Sequence, residues 1–228
     1  IGDEVQVYNP STKKYLGRAF IKGYVKLEDN ARRVTLDRGF DNAESMETTA
    51  TPTIIYNMDS GSRGNSVRNC TFMNSRRYPI LNRAANSLFE DNKFIDCGAG
   101  FAAMNELTTS TKSEGGFPCS NTMRNNIIKG ESNTKGYYPL EVRHWKSALG
   151  DSAPIDGFLI ENNEIEVGNK DGSMFINGVK DLYLINNKVT NTTNVTSKTM
   201  PVIITNCDVS VIDGLTVNFN KDVSAALT

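Results

Sequence analysis

The segment LIENNEI at residues 159–165 combines an alternating strand, an Asn-Asn turn and a second apolar strand, and five other segments repeat this pattern. These are SVRNCTF (66–72), LFEDNKF (88–94), MRNNII (123–128), LINNKV (184–189) and VIDGLTV (211–217). The turn residues are Cys70, Asn92, Asn126, Asn163, Asn187 and Gly214, spaced by 22, 34, 37, 24 and 27 residues. A base period in the low twenties with two longer intervals is typical of a β-solenoid with two excursions.

One repeat cannot bury its own apolar face, so we expect successive repeats to stack about 4.8 Å apart around a shared core. The predicted internal stack contains Val67, Leu88, Met123, Leu159, Leu184 and Val211. Asparagine suits the turn because it tolerates the left-handed backbone conformation and can hydrogen-bond an amide of the next repeat, forming a ladder. The Leu-x-x-Leu-x-Leu signature of leucine-rich repeats is missing. The sequence therefore predicts an all-β protein, specifically a right-handed parallel β-helix.

Residues 1–50 do not share the repeat. Alternation in EVQVY and YVKL, with NPSTKK as a turn, predicts a small antiparallel β element that resembles a barrel. The β-helix is predicted over residues 51–228, with TIIYNMDSG (53–61) as its entry. Because the chain begins at Ile1 without a start methionine or signal peptide, we expect a mature product, a fragment or part of a longer chain.

Composition narrows the function classes. The net charge of −1 over 228 residues provides no basic field for nucleic acid, and no run of 18 apolar residues predicts a membrane span. The cysteines at 70, 97, 119 and 207 match no zinc or haem motif, and no cofactor or metal is predicted. We expect four small buried residues, with a Cys97–Cys119 disulfide across the first excursion as the alternative.

The two long intervals are predicted to be excursions at about 98–118 and 130–154, where a solenoid usually carries its functional residues. Candidate catalytic carboxylates are Glu106, Glu114 and Glu141, since glycoside hydrolysis requires two carboxyl groups at a defined separation. Candidate sugar-binding residues beside them are Arg143, His144 and Trp145, which offer a flat apolar ring and charged hydrogen-bonding groups. Anchoring of a long loop by Trp145 is the alternative.

A second candidate binding segment is NSRRYPILNRA at 74–84. Arg76 and Arg77 follow a repeat strand and precede Tyr78, and a guanidinium group there could hold a carboxylate or vicinal hydroxyls. An exposed basic corner, with Arg83 on the next strand, is the equally weighted alternative.

The order GDEVQVYNPSTKKYLGRA, then SVRNCTFMNSRRYPILNRAANSLFEDNKFIDCGAGFAAMNE, then SEGGFPCSNTMRNNII resembles the carboxy-terminal part of the bacterial exo-α-1,3-galactosidases of glycoside hydrolase family 110. The resemblance covers about residues 2–128. It implies a β-helix interrupted by a small barrel, and an inverting, metal-independent hydrolase that removes terminal α-1,3-linked galactose from cell-surface glycans.

The family's acidic pair is an Asp-Asp motif upstream of the barrel, and this chain contains no Asp-Asp dipeptide. The resemblance therefore implies that the catalytic pair precedes Ile1, or that the activity differs or is lost. By position, Arg76, Arg77, Glu106 and Glu114 match the family's downstream cleft, whereas Tyr78 and Pro79 replace its usual small residue.

Three function classes remain open. The first is a glycoside hydrolase that acts on terminal sugars of an oligosaccharide or polysaccharide. The second is a non-catalytic glycan-binding β-helix, such as part of a phage tail spike or fibre, and a tail spike should be a homo-oligomer, specifically a trimer. The third is a polysaccharide lyase, disfavoured because no Asp-x-Asp calcium cluster appears. The expected location is secreted, periplasmic or at the bacterial cell surface, or on a virion.

Overall fold

A computed structural model describes residues 1–9, 14–28, 31–40, 53–61, 63–107, 113–131, 137–145, 155–168, 172–192 and 200–219. Over these residues the protein is all-β, as the sequence predicts, and contains no α-helix. No helix in these ranges is long and apolar enough to cross a membrane.

The amino-terminal strands form an antiparallel sheet in the order β3-β2-β1-β4. Its strands are β1 (Glu4–Asn9), β2 (Lys14–Lys26), β3 (Arg32–Leu36) and β4 (Ile54–Asn57). Because β4 pairs antiparallel with β1, the segment expected to enter the first repeat belongs to this sheet instead. An edge-to-face contact of Tyr15 with Phe117, at 5.0 Å between ring centroids, and an Arg18–Asp156 ion pair at 2.5 Å join the sheet to the repeats.

The repeats build three parallel sheets. Sheet 1 contains β5 (Ser66–Arg68), β8 (Leu88–Glu90), β12 (Asn121–Arg124), β15 (Ile155–Glu161), β18 (Val179–Ile185) and β21 (Asp208–Asp213). Sheet 2 contains β6 (Thr71–Met73), β9 (Lys93–Ile95), β13 (Ile127–Glu131), β16 (Glu164–Gly168), β19 (Lys188–Asn191) and β22 (Thr216–Phe219). Sheet 3 contains β7 (Ile80–Asn82), β10 (Phe101–Leu107), β14 (Leu140–Trp145), β17 (Met174–Asn177) and β20 (Val202–Thr205), and the short β11 (Ser113–Glu114) pairs antiparallel with β10.

The chain visits the three sheets in the same order in each repeat, and each strand pairs with its counterpart in the next repeat. The six similar segments recognised in the sequence supply only sheets 1 and 2. The third strand of each repeat lies between them, so the intervals at 98–118 and 130–154 contain the regular strands β10 and β14 of sheet 3.

The internal stack of sheet 1 differs by one residue from the prediction at three positions. The cross-strand register aligns Val67, Phe89, Met123, Ile160, Leu184 and Ile212. The assignment of Leu88, Leu159 and Val211 to the internal stack was therefore wrong. Side chains alternate between the two faces of a strand, so a shift of one residue moves them to the opposite face. Segments such as LFE and LIE contain two adjacent apolar residues, so alternation alone does not choose between them.

The predicted asparagine ladder is confirmed. The buried residues Asn92, Asn126, Asn163 and Asn187 each accept, through the side-chain oxygen, a hydrogen bond from a backbone N–H of the preceding repeat. For example, the Asn126 backbone N–H donates to Asn163 Oδ1 at 3.0 Å, and Asn126 Nδ2 donates to the same oxygen at 2.9 Å. The ladder thus satisfies polar groups that would otherwise be buried without partners.

The left-handed conformation belongs to the preceding residue, not to the ladder asparagine. Positive φ angles between 51° and 63° occur at Asn69, Asp91, Asn125, Asn162, Asn186 and Gly214. Gly214 was predicted to be the turn residue equivalent to Asn187, but it is equivalent to Asn186, because Thr216 pairs with Lys188 and places Leu215 beside Asn187. A Cβ at Gly214 would lie 2.2 Å from Asn186 Oδ1, so glycine is required there.

Candidate functional site

The outer face of sheet 3 carries several of the sequence-predicted functional residues. Its inner face supplies Phe101, Leu140 and Met174 to the core, each with no exposed surface. Because successive side chains point to opposite faces, the alternate positions 102, 104 and 106 of β10 and 141, 143 and 145 of β14 belong to the outer face. The parallel strands β10 and β14 therefore present these positions in cross-strand rows.

One such row joins three of the predicted site residues. Glu106 of β10 pairs with Glu114 of β11 on one side and with Trp145 of β14 on the other. The next residue pair along β14 and β10 is His144 with Asn105, which alternation assigns to the other face. The side chains of Glu106, Glu114, His144 and Trp145 lie outside the described residues, so this placement is one of backbone register.

A second row contains the third predicted carboxylate. Glu141 pairs with Ala102 and Phe175, and its side chain has no exposed surface. It forms an ion pair with Arg143, whose guanidinium also lies 5.2 Å from the centroid of the Phe175 ring. Tyr138 stacks on that same ring, with 5.0 Å between the centroids. In this arrangement Glu141 forms an ion pair with Arg143 and is inaccessible to solvent.

Burial dominates the electrostatics of this pair. Desolvation raises the pKa of Glu141 to about 7, although the Arg143 charge and the Tyr138 backbone amide act to lower it. Desolvation also lowers the pKa of Arg143 from its ordinary value, against the opposing effect of Glu141. Both shifts reflect the cost of placing a charge away from water.

We expect this glutamate to make the protein less stable as the pH rises. Its pKa is higher in the folded state than its ordinary value of 4.5, so the folded protein holds this proton more tightly than the unfolded chain does. The resulting contribution to the free energy of unfolding is complete below pH 4.5 and is lost as the pH rises toward 7. The loss amounts to about 3 kcal/mol at most. Chemical denaturation between pH 4 and 8 should show this decline in wild type and not in Glu141→Gln; parallel curves for the two proteins would contradict it.

The predicted binding segment at 76–78 lies against residues just before β14. Tyr78 packs edge-to-face on Tyr137 at 5.3 Å between centroids, and Arg77 places its guanidinium carbon 5.7 Å from the same ring. Arg76 and Arg77 are exposed, whereas Tyr78 is half-buried. The structure thus brings Arg77 and Tyr78 together with Tyr137, an aromatic residue that the sequence analysis did not assign to a site.

Arg83 is a second residue that lies near the predicted site although the sequence did not assign it there. It is half-buried, and a Cβ at Gly115 would lie 2.8 Å from its Cβ and 3.1 Å from its Cδ. Gly115 has a φ of 72° and directly follows Glu114, so the stem of Arg83 runs beside the hairpin that carries this glutamate. The Gly-Gly pair at 115–116 is the sequence signal of this close approach.

All four cysteines are free thiols, so the alternative of a Cys97–Cys119 disulfide was wrong. Cys97 and Cys119 are buried as expected, whereas Cys70 is exposed and Cys207 is half-buried. Burial raises the pKa of the Cys119 thiol to about 11, which makes it an unreactive packing residue. Within the described ranges, no group of three or more His, Cys, Asp and Glu residues is arranged to hold a metal ion.

No protein-family model matches the chain, and no curated protein matches it.

Proposed function

We propose that sheets 1, 2 and 3 are the faces of a right-handed parallel β-helix, and that the chain is a glycoside hydrolase of the α-galactosidase-like, inverting type. The fixed order of sheets in each repeat, the parallel pairing and the asparagine ladder support the β-helix. A β-helix gives an enzyme a long rigid face on which neighbouring strands hold catalytic groups at set distances.

The Glu114–Glu106–Trp145 row carries this proposal. Residues directly opposite in an antiparallel pair share one face and have Cβ atoms about 5 Å apart. Two glutamates so placed can separate their carboxyl groups by the 6.5–9.5 Å or so that an inverting enzyme uses, or by the shorter distance of a retaining one. Trp145 adds a flat ring of the kind on which a sugar packs.

In this mechanism one glutamate of the pair donates a proton to the glycosidic oxygen as the bond to the sugar breaks. The other, ionised, takes a proton from the water that attacks the anomeric carbon from the opposite side. Two carboxylates at opposing positions repel each other when both are ionised, which favours this division of roles. The Glu141–Arg143 pair supports the neighbouring row without contacting the sugar.

A second candidate function is glycan binding without catalysis, as in a tail-spike β-helix. The Arg77–Tyr137–Tyr78 cluster favours it, because exposed arginine beside aromatic rings can bind sugar without any carboxylate. We place either function outside the cell, at a bacterial surface or on a virion, where the glycan substrates occur.

A screen of wild type against aryl α- and β-glycosides and α-1,3-galactosyl oligosaccharides tests the proposal. We expect release of the terminal sugar from one α-galactoside class. Binding of an oligosaccharide without release, lost in Arg77→Ala together with Tyr137→Ala, would replace hydrolysis by the second function. Neither release nor binding would contradict both.

A further inference from the structure

Sheets 1 and 2 each end in an edge strand at both ends of the row of repeats. Strands β5 and β6 form the first edge, strands β21 and β22 form the last edge, and each has one neighbour among the described strands. All six residues of β21 are exposed. The backbone groups along such an edge are a template for a further strand. A protein built from stacked repeats therefore needs a cap or a partner at these edges.

The two edges expose apolar residues that occupy equivalent positions. Ile212 on the last edge is 42% exposed, and Val67 on the first edge is half-buried; both belong to the internal stack of sheet 1. In sheet 2 the register likewise aligns Phe72 on the first edge with Val217 on the last, and both are half-buried. Parallel pairing of a first edge with a last edge would bury all four side chains in one continuous core.

The charges on the two edges are opposite in sign and equally spaced. Asp208 and Asp213 begin and end β21, and Arg63 and Arg68 are likewise five residues apart in the first repeat. Cross-strand pairs along sheet 1 connect Arg68 to Asp213 in one column. Backbone pairing connects Arg63 to Asp208 in a second column. A first edge stacked on a last edge in the same register therefore places each arginine beside an aspartate.

Arg68 can bind this aspartate without losing the partner that it already has. It pairs with Glu90 at 3.2 Å, and 51% of its side chain remains exposed. Glu90 also pairs with Arg124 of the next repeat, so the column already alternates in sign. The guanidinium has five donors, which allows it to bind a carboxylate on either side. Arg63 is the weaker contributor, because it already forms two ion pairs with carboxylates of its own chain.

We propose that two copies of this chain bind head to tail, with β5 and β6 of one copy pairing in parallel with β21 and β22 of the other. Arg68 of the first copy then binds Asp213 of the second. The last described strand of sheet 3, β20, belongs to the preceding repeat, so the contact consists of sheets 1 and 2. Because the two contacting surfaces differ, the association does not close and produces an open row of copies. Such stacking requires the observed parallel pairing and does not depend on the hydrolase proposal.

Analytical ultracentrifugation of the full chain, at concentrations that reach about 1 mM, tests this contact because weak complexes are populated there. Wild type is expected to form species that grow in size as its concentration rises. Asp213→Arg and Arg68→Asp each bring like charges together at the contact and should weaken association about tenfold. In an equimolar mixture of the two variants, contacts between unlike copies regain opposite charges. The mixture should therefore recover most of the association.

Glu166→Arg is the matched control, since it makes the same change of charge as Asp213→Arg on a middle repeat of sheet 2. It should associate as wild type does. Thermal melting establishes that the variants fold, and Asp213→Asn, which should also weaken association, replaces Asp213→Arg if that protein unfolds. A monomeric wild type, or one that forms a closed dimer or trimer, would overturn the proposal. Equal loss in Glu166→Arg, no loss in either single variant, or a loss that mixing does not reverse would also overturn it.

Discussion

Replacement of Asn126 by alanine is expected to lower the free energy of unfolding by about 4 kcal/mol. Its side chain donates to the Phe89 and Arg124 carbonyls and accepts from the backbone and side chain of Asn92. Asn126 has no exposed surface, so water cannot replace these bonds when the amide is removed. Denaturant unfolding followed by circular dichroism measures the change.

The neighbouring Asn125 provides the matched control. It is exposed and has a φ of 55°, so its role is to adopt the left-handed conformation. Asn125→Gly should change stability by less than about 1 kcal/mol, because glycine adopts this conformation without strain. Similar losses for the two variants would mean that the ladder bonds contribute nothing beyond the turn itself.

Glu106→Gln and Glu114→Gln are each expected to lower kcat for glycoside hydrolysis by about 10³-fold, because each removes a proton donor or acceptor for the reaction. Substrate binding should change little, since glutamine keeps the size and hydrogen-bonding capacity of the side chain. Initial rates over a range of substrate concentrations separate kcat from KM.

Glu166→Gln is the control for these two variants. Glu166 lies on sheet 2, away from the proposed row, and pairs with Lys129 at 3.2 Å. This variant should retain wild-type kcat, because Glu166 is not part of the proposed catalytic row. Loss of its surface ion pair should also leave the protein folded, since such pairs contribute little to stability. Full activity in Glu106→Gln or Glu114→Gln, or equal loss in Glu166→Gln, would show that the cross-strand pair is not the catalytic pair.

The repeat and its ladder could be predicted because they follow from local chemistry. Asn-Asn turns recur at defined spacing, and asparagine is one of few residues suited to both the left-handed conformation and a side-chain ladder. The sequence could not show that these are two separate positions. That distinction depends on register, which aligns Asn125 with Asn162 and Asn126 with Asn163.

The third strand of each repeat was missed because β10 and β14 have no recurring turn motif. Strand β10 begins FAAM and β14 begins LEVR, and the first three residues of each strand have no exposed surface, so neither a shared motif nor an alternating pattern links the two strands. The row of Glu106, Glu114 and Trp145 depends on a hairpin and a parallel pairing between residues far apart in sequence. Burial of Glu141 likewise depends on packing by Tyr138 and Phe175, which no local pattern indicates.

The most direct test of the proposed site is the hydrolysis of an α-1,3-linked galactosyl oligosaccharide followed by proton NMR, which reports both sugar release and the configuration of the product. We predict that wild type releases galactose, first as the β-anomer expected for inversion, and that the protein with both Glu106→Gln and Glu114→Gln releases none. No release by wild type, or equal release by the double variant, would contradict the assignment of this pair as the catalytic carboxylates.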